Sequence, residues 1–389
     1  MMNRFYERAL ALKDEIVQNR RTIHTFGGVG FELPQTVAFI KEKLQELGLE
    51  PKEVCQSGIT CTIGSGAPVI LLRADMDALP VREESGLDFA CENGTMHGCG
   101  HDMHAAMLLG AAKILQENVH ELRGTVKLMF QPAEEILAGA EAMIQGGILE
   151  NPHVDAAMGI HVGVGRPDCW SNYVSYISGP ASTSADEFWT TINNGDRRGT
   201  SPIDVGCRII QALQELPAME ISPFDPASLV VNVFSSTSTA ANVTPSEATF
   251  KGVIRTTSPA TRERMKTRME EITNSIAATY HHTAKIEYVR GVGPMMTDDS
   301  LVQELVGYIK DIVGEKNMEQ QPYGQGAEDF SAICREVPGA FFNLGAGHPD
   351  EGYWMQNHKS NVIFNEDVLP TGAAMYAACA FEWLHKHGG

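Results

Sequence analysis

Leu71-Leu72-Arg73-Ala74-Asp75-Met76-Asp77 is a short apolar run that ends abruptly in two carboxylates. The apolar part begins at Val69, and Val69–Arg73 reads as a short buried β-strand. The pattern recurs twice downstream. A strand over Thr125–Phe130 ends Leu128-Met129-Phe130 and runs into Gln131-Pro132-Ala133-Glu134-Glu135. A strand over Ala156–Ile160 ends Met158-Gly159-Ile160 and runs into His161. Helical spacing fills Thr36–Leu47, Ala105–Leu115 and Gly139–Ile148. Strands alternating with helices predict an α/β domain with a mostly parallel sheet. In open sheets of that kind ligands collect beyond the carboxyl ends of the strands, where these acids and this histidine fall.

The middle of the chain follows another order. Strand Glu187–Asn193 precedes helix Ile203–Leu216, then strands Leu229–Phe234 and Ala248–Thr256, helix Ala260–Tyr280 and strand Ala284–Val289. This β-α-β-β-α-β succession is the ferredoxin-like split arrangement. After Pro294 the α/β pattern resumes, with a helix at Ser300–Val313, a strand at Ala340–Gly345 and a helix at Thr371–His385. A chain of 389 residues exceeds the size of one ordinary core. The pattern therefore predicts a discontinuous α/β domain over 1–183 and 294–389, with an α+β domain inserted over 184–293.

The bulk composition narrows the function classes. Thirty basic residues against 49 acidic ones give a formal charge of −19, which opposes binding to nucleic acid or anionic lipid. The N-terminal stretch has charges between Leu10, Leu12, Ile16 and Val17, so it reads as an amphipathic helix rather than a signal peptide. No apolar run approaches the length of a membrane span. Eight cysteines without framework spacing fit reduced thiols in a cytoplasmic protein.

Chemistry concentrates in Met96-His97-Gly98-Cys99-Gly100-His101-Asp102-Met103-His104. Cys and neutral His bind zinc and related ions, and flanking glycines let the backbone turn closely around a bound group. A buried Cys beside surface histidines is the bland alternative. Glu134 and Glu135 have two readings as well: a solvated acidic start to a helix, or one metal-binding carboxylate beside one that takes a proton from metal-acidified water. His161 alone reads as a core histidine, His358 in Asn357-His358-Lys359-Ser360 as a loop residue, and His24 as surface or as support for the cluster.

Four segments together resemble a known group. They are Leu72-Arg73-Ala74-Asp75-Met76-Asp77-Ala78-Leu79-Pro80, Gly98-Cys99-Gly100-His101-Asp102-Met103-His104, Phe130-Gln131-Pro132-Ala133-Glu134-Glu135 and Gly326-Ala327-Glu328-Asp329-Phe330-Ser331. The chain is similar to the hippurate hydrolase, N-acyl-amino-acid amidohydrolase and auxin-conjugate hydrolase group of the aminoacylase-type metallopeptidase superfamily. The resemblance implies a catalytic domain with two divalent ions (zinc, manganese, cobalt or nickel) and an inserted lid domain that dimerises. By motif, Cys99, His101, Glu135, His161 and His358 correspond to metal ligands, and Glu134 to the general base and later acid. Asp75 becomes a carboxylate that orients a ligand, while His104 stays without an assigned ligand role. Asn242, in Asn242-Val243-Thr244-Pro245, and Arg255 correspond to a grip on the substrate carboxylate, against the simpler reading of a turn asparagine and a strand arginine.

The lid departs from that pattern in one place. Group members carry a glycine-rich loop with a histidine after the first lid strand, and the resemblance gives that histidine an oxyanion-stabilising role across the dimer. Here Asn193-Asn194-Gly195-Asp196-Arg197-Arg198-Gly199-Thr200-Ser201 is shorter and has no histidine. Arg197 or Arg198 supplying the charge, an altered substrate, or a loss of turnover with metal binding intact are the three explanations. The expected function is hydrolysis of N-acyl amino acids by a homodimer. A metal-binding protein of weakened catalysis that recognises carboxylated amides, or a dipeptidase, are the alternatives.

Overall fold

The computed structural model describes residues 3–194, 200–322, 324 and 326–389. It divides into two compact units: Met1–Ala181 with Met296–Tyr323 and Ala332–Gly389, and Ser182–Met295 with the short segment Gly324–Ser331. In chain order, the first unit opens with α1 (Arg4–Ala11), α2 (Lys13–Phe26) and α3 (Pro34–Glu46). It continues with β1 (Lys52–Cys55), β2 (Gly58–Gly64), β3 (Val69–Asp75), α4 (His101–Glu117), β4 (Thr125–Gln131), α5 (Gly139–Gln145), β5 (Ala156–Gly163) and β6 (Val174–Tyr176). The second unit holds β7 (Ala185–Asn193), α6 (Pro202–Glu220), β8 (Ala227–Ser236), β9 (Glu247–Thr256), α7 (Pro259–Thr279) and β10 (Thr283–Val292). Then come α8 (Asp299–Val313), β11 (Met318–Gln320), α9 (Ser331–Glu336), β12 (Gly339–Gly345) and α10 (Leu369–His387).

Eight strands of the first unit form one sheet in the order β1-β2-β4-β3-β5-β12-β6-β11. Its centre, β4-β3-β5-β12, is parallel throughout. β3 and β4 are buried at every residue, as central strands covered on both faces must be. Antiparallel pairs, β1 with β2, β2 with β4 and β12 with β6, lie outside the parallel centre. Register matters more for the site. Asp75 pairs with Gln131, and His161 with Asn343, so the acids after β3 and β4 and the histidine of β5 leave the same edge.

Helices α4 and α10 are buried along almost their whole length, which explains their runs of Ala, Leu and Met without a polar stripe. They approach closely at Gly372, where a Cβ would stand 1.9 Å from the Met107 sulfur. The second unit is an antiparallel four-stranded sheet, β10-β7-β9-β8, covered by α6 and α7. β7 and β9 alternate buried and partly exposed residues, and Phe188, Ile192, Phe250 and Ile254 meet Val205, Ile209, Leu213, Met265 and Met269 from the helices. No helix among the described residues is long and apolar enough to cross a membrane.

Candidate metal centre

The first turn of α4 carries His101, Asp102, Met103 and His104, all buried. Sequence periodicity starts this helix at Ala105; it starts at His101 because Gly100 turns the chain there at φ 87. A side chain at Gly100 would put its Cβ 2.4 Å from Val162 Cγ2, so only glycine fits between α4 and β5. That turn places Cys99 just ahead of the helix and His101 at its first position.

Five of the residues singled out in the sequence converge. The Cys99 sulfur lies 3.3 Å from His161 Nε2 and 3.2 Å from His358 Nε2. Glu135 Oε1 is 3.8 Å from His358 Nε2 and 3.9 Å from His101 Nε2. Donor atoms around a tetrahedral zinc-like ion stand roughly 3.3–3.6 Å apart, given Zn–N and Zn–S bonds of about 2.0 and 2.3 Å. The cluster has that scale. Cys99 belongs to two ligand groups, one with His101 and His161 and one with Glu135 and His358, each with all donor atoms within 4.8 Å. Among the described residues, neither ring nitrogen of His101 nor Oε1 of Glu135 has a hydrogen-bond partner, although all three atoms are buried. Buried polar atoms left so are what an ion would satisfy. The residues fit a metal centre.

The surroundings are arranged for positive charge. Burial opposes a charge on His101, yet Asp75, the Cys99 sulfur and Asp77 together push its pKa well above the ordinary value. Burial pushes the Cys99 thiol up, with Glu135 and Glu134 adding to it although His101 pulls it down. Burial likewise raises the Glu135 carboxyl against the pull of His101 and His358. A bound cation would offset the cost of burying the thiolate and the carboxylate, and would take the place of the proton these surroundings favour on His101.

The supporting contacts are specific. Asp75, despite burial, is held well below the usual carboxylate range by Arg73, 2.7 Å away, and by His101 and His104. The His104 Nδ1–H donates to Asp75, and its Nε2 accepts the Val162 amide at 2.8 Å, which fixes the tautomer. His161 donates from Nδ1 to the Val162 carbonyl at 2.8 Å, turning Nε2 toward Cys99. Asp77 accepts the amides of both Glu134 and Glu135, at 3.0 and 3.2 Å, and so holds the backbone of the acidic pair. Glu134 Oε2 is 3.9 Å from His101 Nε2. Behind α4, Asp102 accepts from Arg20 at 2.6 Å and from His24 Nδ1 at 2.8 Å, while His24 Nε2 donates to Glu83 at 3.1 Å.

Asn242 and Arg255 lie in the second unit and are not brought together. Arg255 is near the end of β9, where Nη1 donates to Thr183 Oγ1 at 3.3 Å, whereas Asn242 sits in the loop preceding that strand. Arg197 and Arg198 fall outside the described residues. His104, which the sequence reads as helix packing or as support for the cluster, partners Asp75; Asp77, which reads there only as an acid after the strand, and Asn357 have no role in the sequence reading. Asp77 had a signal, because it follows the same strand two residues after Asp75.

Thiol, imidazole and carboxylate donors at the carboxyl edge of a parallel sheet, with a second acid alongside, are the equipment of a metal-dependent hydrolase. Residues 71–382 match Peptidase family M20/M25/M40, and the chain belongs to that family of amide-bond hydrolases. Over 388 residues it is 32% identical to thermostable carboxypeptidase 1 of Saccharolobus solfataricus, covering 96% of this chain and 97% of that protein. It is 33% identical to IAA-amino acid hydrolase ILR1-like 2 of Arabidopsis thaliana, covering 96% and 86%. A crystal structure of a dinuclear metal-binding M20 peptidase from Bacillus subtilis superposes with a TM-score of 0.81 at 28% identity, covering 97% of this chain and 99% of that one.

Proposed function

We propose that this chain is a two-ion amidohydrolase that releases a free amino acid and a carboxylic acid from N-acyl amino acids, with acetyl, benzoyl or longer acyl groups. The observation that carries the reading is that Cys99 belongs to two ligand groups, which together offer five donor residues, enough to hold two ions. His101 and His161 would complete one set and Glu135 and His358 the other. Zinc, manganese, cobalt or nickel suit such mixed donors. Two divalent ions there would supply an acidified water and polarise the acyl carbonyl.

The chain's own groups do the rest. Glu134 takes the proton from the attacking water at its carboxylate and returns it to the leaving nitrogen. Asp77 keeps that carboxylate in place by holding the amides of 134 and 135. Asp75 orients the His104 ring, and Asp77 faces His101 Nδ1 at 3.4 Å. Arg255 would pair with the substrate carboxylate and Asn242 hydrogen-bond the substrate. Eight steps of β9 separate Glu247 from Arg255, roughly 26 Å at about 3.3 Å per residue, so one chain's Asn242 and Arg255 do not reach one small substrate. A homodimer resolves this, each lid lending Asn242 to the other copy. β8, at the edge of its sheet, exposes Val230, Val233 and Phe234, a surface suited to a second lid. Eight free thiols agree with a cytoplasmic setting.

Hydrolysis of N-acetyl, N-benzoyl and long-chain acyl amino acids, each assayed with the four metals, tests the reading. Turnover of at least one acyl class is expected. Binding of these compounds without turnover would favour the second reading, a metal-binding protein of weakened catalysis, which the lid loop without histidine motivates.

A further inference from the structure

Asn357 precedes His358 in the loop after β12, and its side chain uses its whole bonding capacity on the centre. Nδ2 donates to the Cys99 carbonyl and to the Val162 carbonyl, both at 3.2 Å. Oδ1 accepts the Val164 amide at 3.2 Å. Only this orientation of the amide matches two carbonyls with two N–H groups and an amide N–H with an oxygen. One side chain thus ties together the loop that bears Cys99, the end of β5 that bears His161, and its own neighbour His358.

His358 needs such a tie. It sits in the left-handed region at φ 70, a conformation that costs a non-glycine residue energy, and its side chain is 56% exposed. Its backbone has one further anchor, the amide donating to the Gly98 carbonyl at 2.8 Å. The other donors are held independently: His101 by α4, His161 by β5 and its bond to Val162, Glu135 by Asp77. We propose that Asn357 is a positioning residue that sets His358 against Cys99 and thereby governs metal binding by Cys99, Glu135 and His358 more than by Cys99, His101 and His161. This rests on the two-ion reading above.

Asn357→Asp is the sharpest variant, since it keeps the shape and the acceptor while removing both donors and facing two carbonyls with a charge. Zinc and cobalt titration of the chelated protein would resolve two binding steps in the wild type. In Asn357→Asp one step weakens 10- to 100-fold, the usual effect of losing a group that orients a ligand, and the other weakens less. His358→Gln should weaken the same step, and the cobalt–thiolate absorption should persist at one equivalent in both variants. Unchanged binding at both steps overturns the inference. Equal weakening of both, with or without a lower melting temperature of the metal-free protein, overturns it too. A wild type that binds no metal sinks the two-ion reading itself.

Discussion

Replacing Asp102 with asparagine removes the one charge that Arg20 and His24 share beneath the metal-bearing turn of α4. Asp102 and Arg20 are almost completely buried, and the ion pair is 2.6 Å long. Breaking a buried pair from one side costs about 3–5 kcal/mol. Arg20 keeps Glu366 at 3.0 Å and His24 keeps Glu83, so the lower end, about 3 kcal/mol, is expected. Part of that loss depends on pH. Burial opposes a charge on His24, but Asp102 and then Glu83 more than offset it and push the pKa up to about 8 from 6.5. A folded pKa above the unfolded one stabilises fully below pH 6.5, and the contribution is lost as pH rises through 8. The rise from 6.5 to about 8 corresponds to about 2 kcal/mol. Urea denaturation of chelated protein at pH 6 and pH 9 measures this. Trp189 is the only tryptophan of the second unit among four in the chain, so in a Trp189→Phe background fluorescence reports the first unit. The stability difference between the wild-type residue and the Asp102→Asn variant should shrink by roughly 1–2 kcal/mol from pH 6 to pH 9, the remainder belonging to Glu83. A difference below about 1 kcal/mol at pH 6, or one that does not change with pH, refutes the reasoning.

Glu134→Gln keeps the shape and removes the proton acceptor, so hydrolysis should fall about 10²- to 10⁴-fold while metal content measured by elemental analysis stays at the wild-type value. Gly100→Ala forces a side chain into the left-handed region and against Val162; about 1–2 kcal/mol for the backbone and about 1–3 kcal/mol for overpacking should appear as a lower urea midpoint, with weakened metal binding. Val233→Lys places a charge on the edge strand β8; if the proposed lid dimer forms there, light scattering should show a dimeric wild type and a monomeric variant, with KM for the substrate raised.

The parallel centre of the large sheet was legible because buried strands and helices change period sharply. Val69–Arg73, Thr125–Phe130 and Ala156–Ile160 each lie inside an observed strand that runs one to three residues further. Those extra stretches contain Asp75, Gln131 and His161, polar positions that break an apolar run while keeping strand hydrogen bonds. The same cause hid the first turn of α4, where His101, Asp102 and His104 interrupt the apolar pattern with charges satisfied only by tertiary partners such as Arg20 and Asp75. β1, β2, β6 and β11 left little periodic signal, since β1, β6 and β11 are three or four residues long. Cys99, His101 and Glu135 could be suspected from residue type and local spacing. His358 was reached only through the family resemblance and Asn357 not at all, because a loop histidine and asparagine acquire meaning from the Cys99 sulfur and from the Cys99 and Val162 carbonyls, far away in sequence.

Two ions held by Cys99, His101, His161, Glu135 and His358 would both depend on the one thiolate. Elemental analysis of purified protein, run beside a hydrolysis assay with an N-benzoyl amino acid and repeated on Cys99→Ala, tests this dependence most directly. Two equivalents of divalent metal per chain are expected in the wild type, with loss of both ions and of hydrolysis in the variant. Two retained equivalents with undiminished hydrolysis in Cys99→Ala would contradict it.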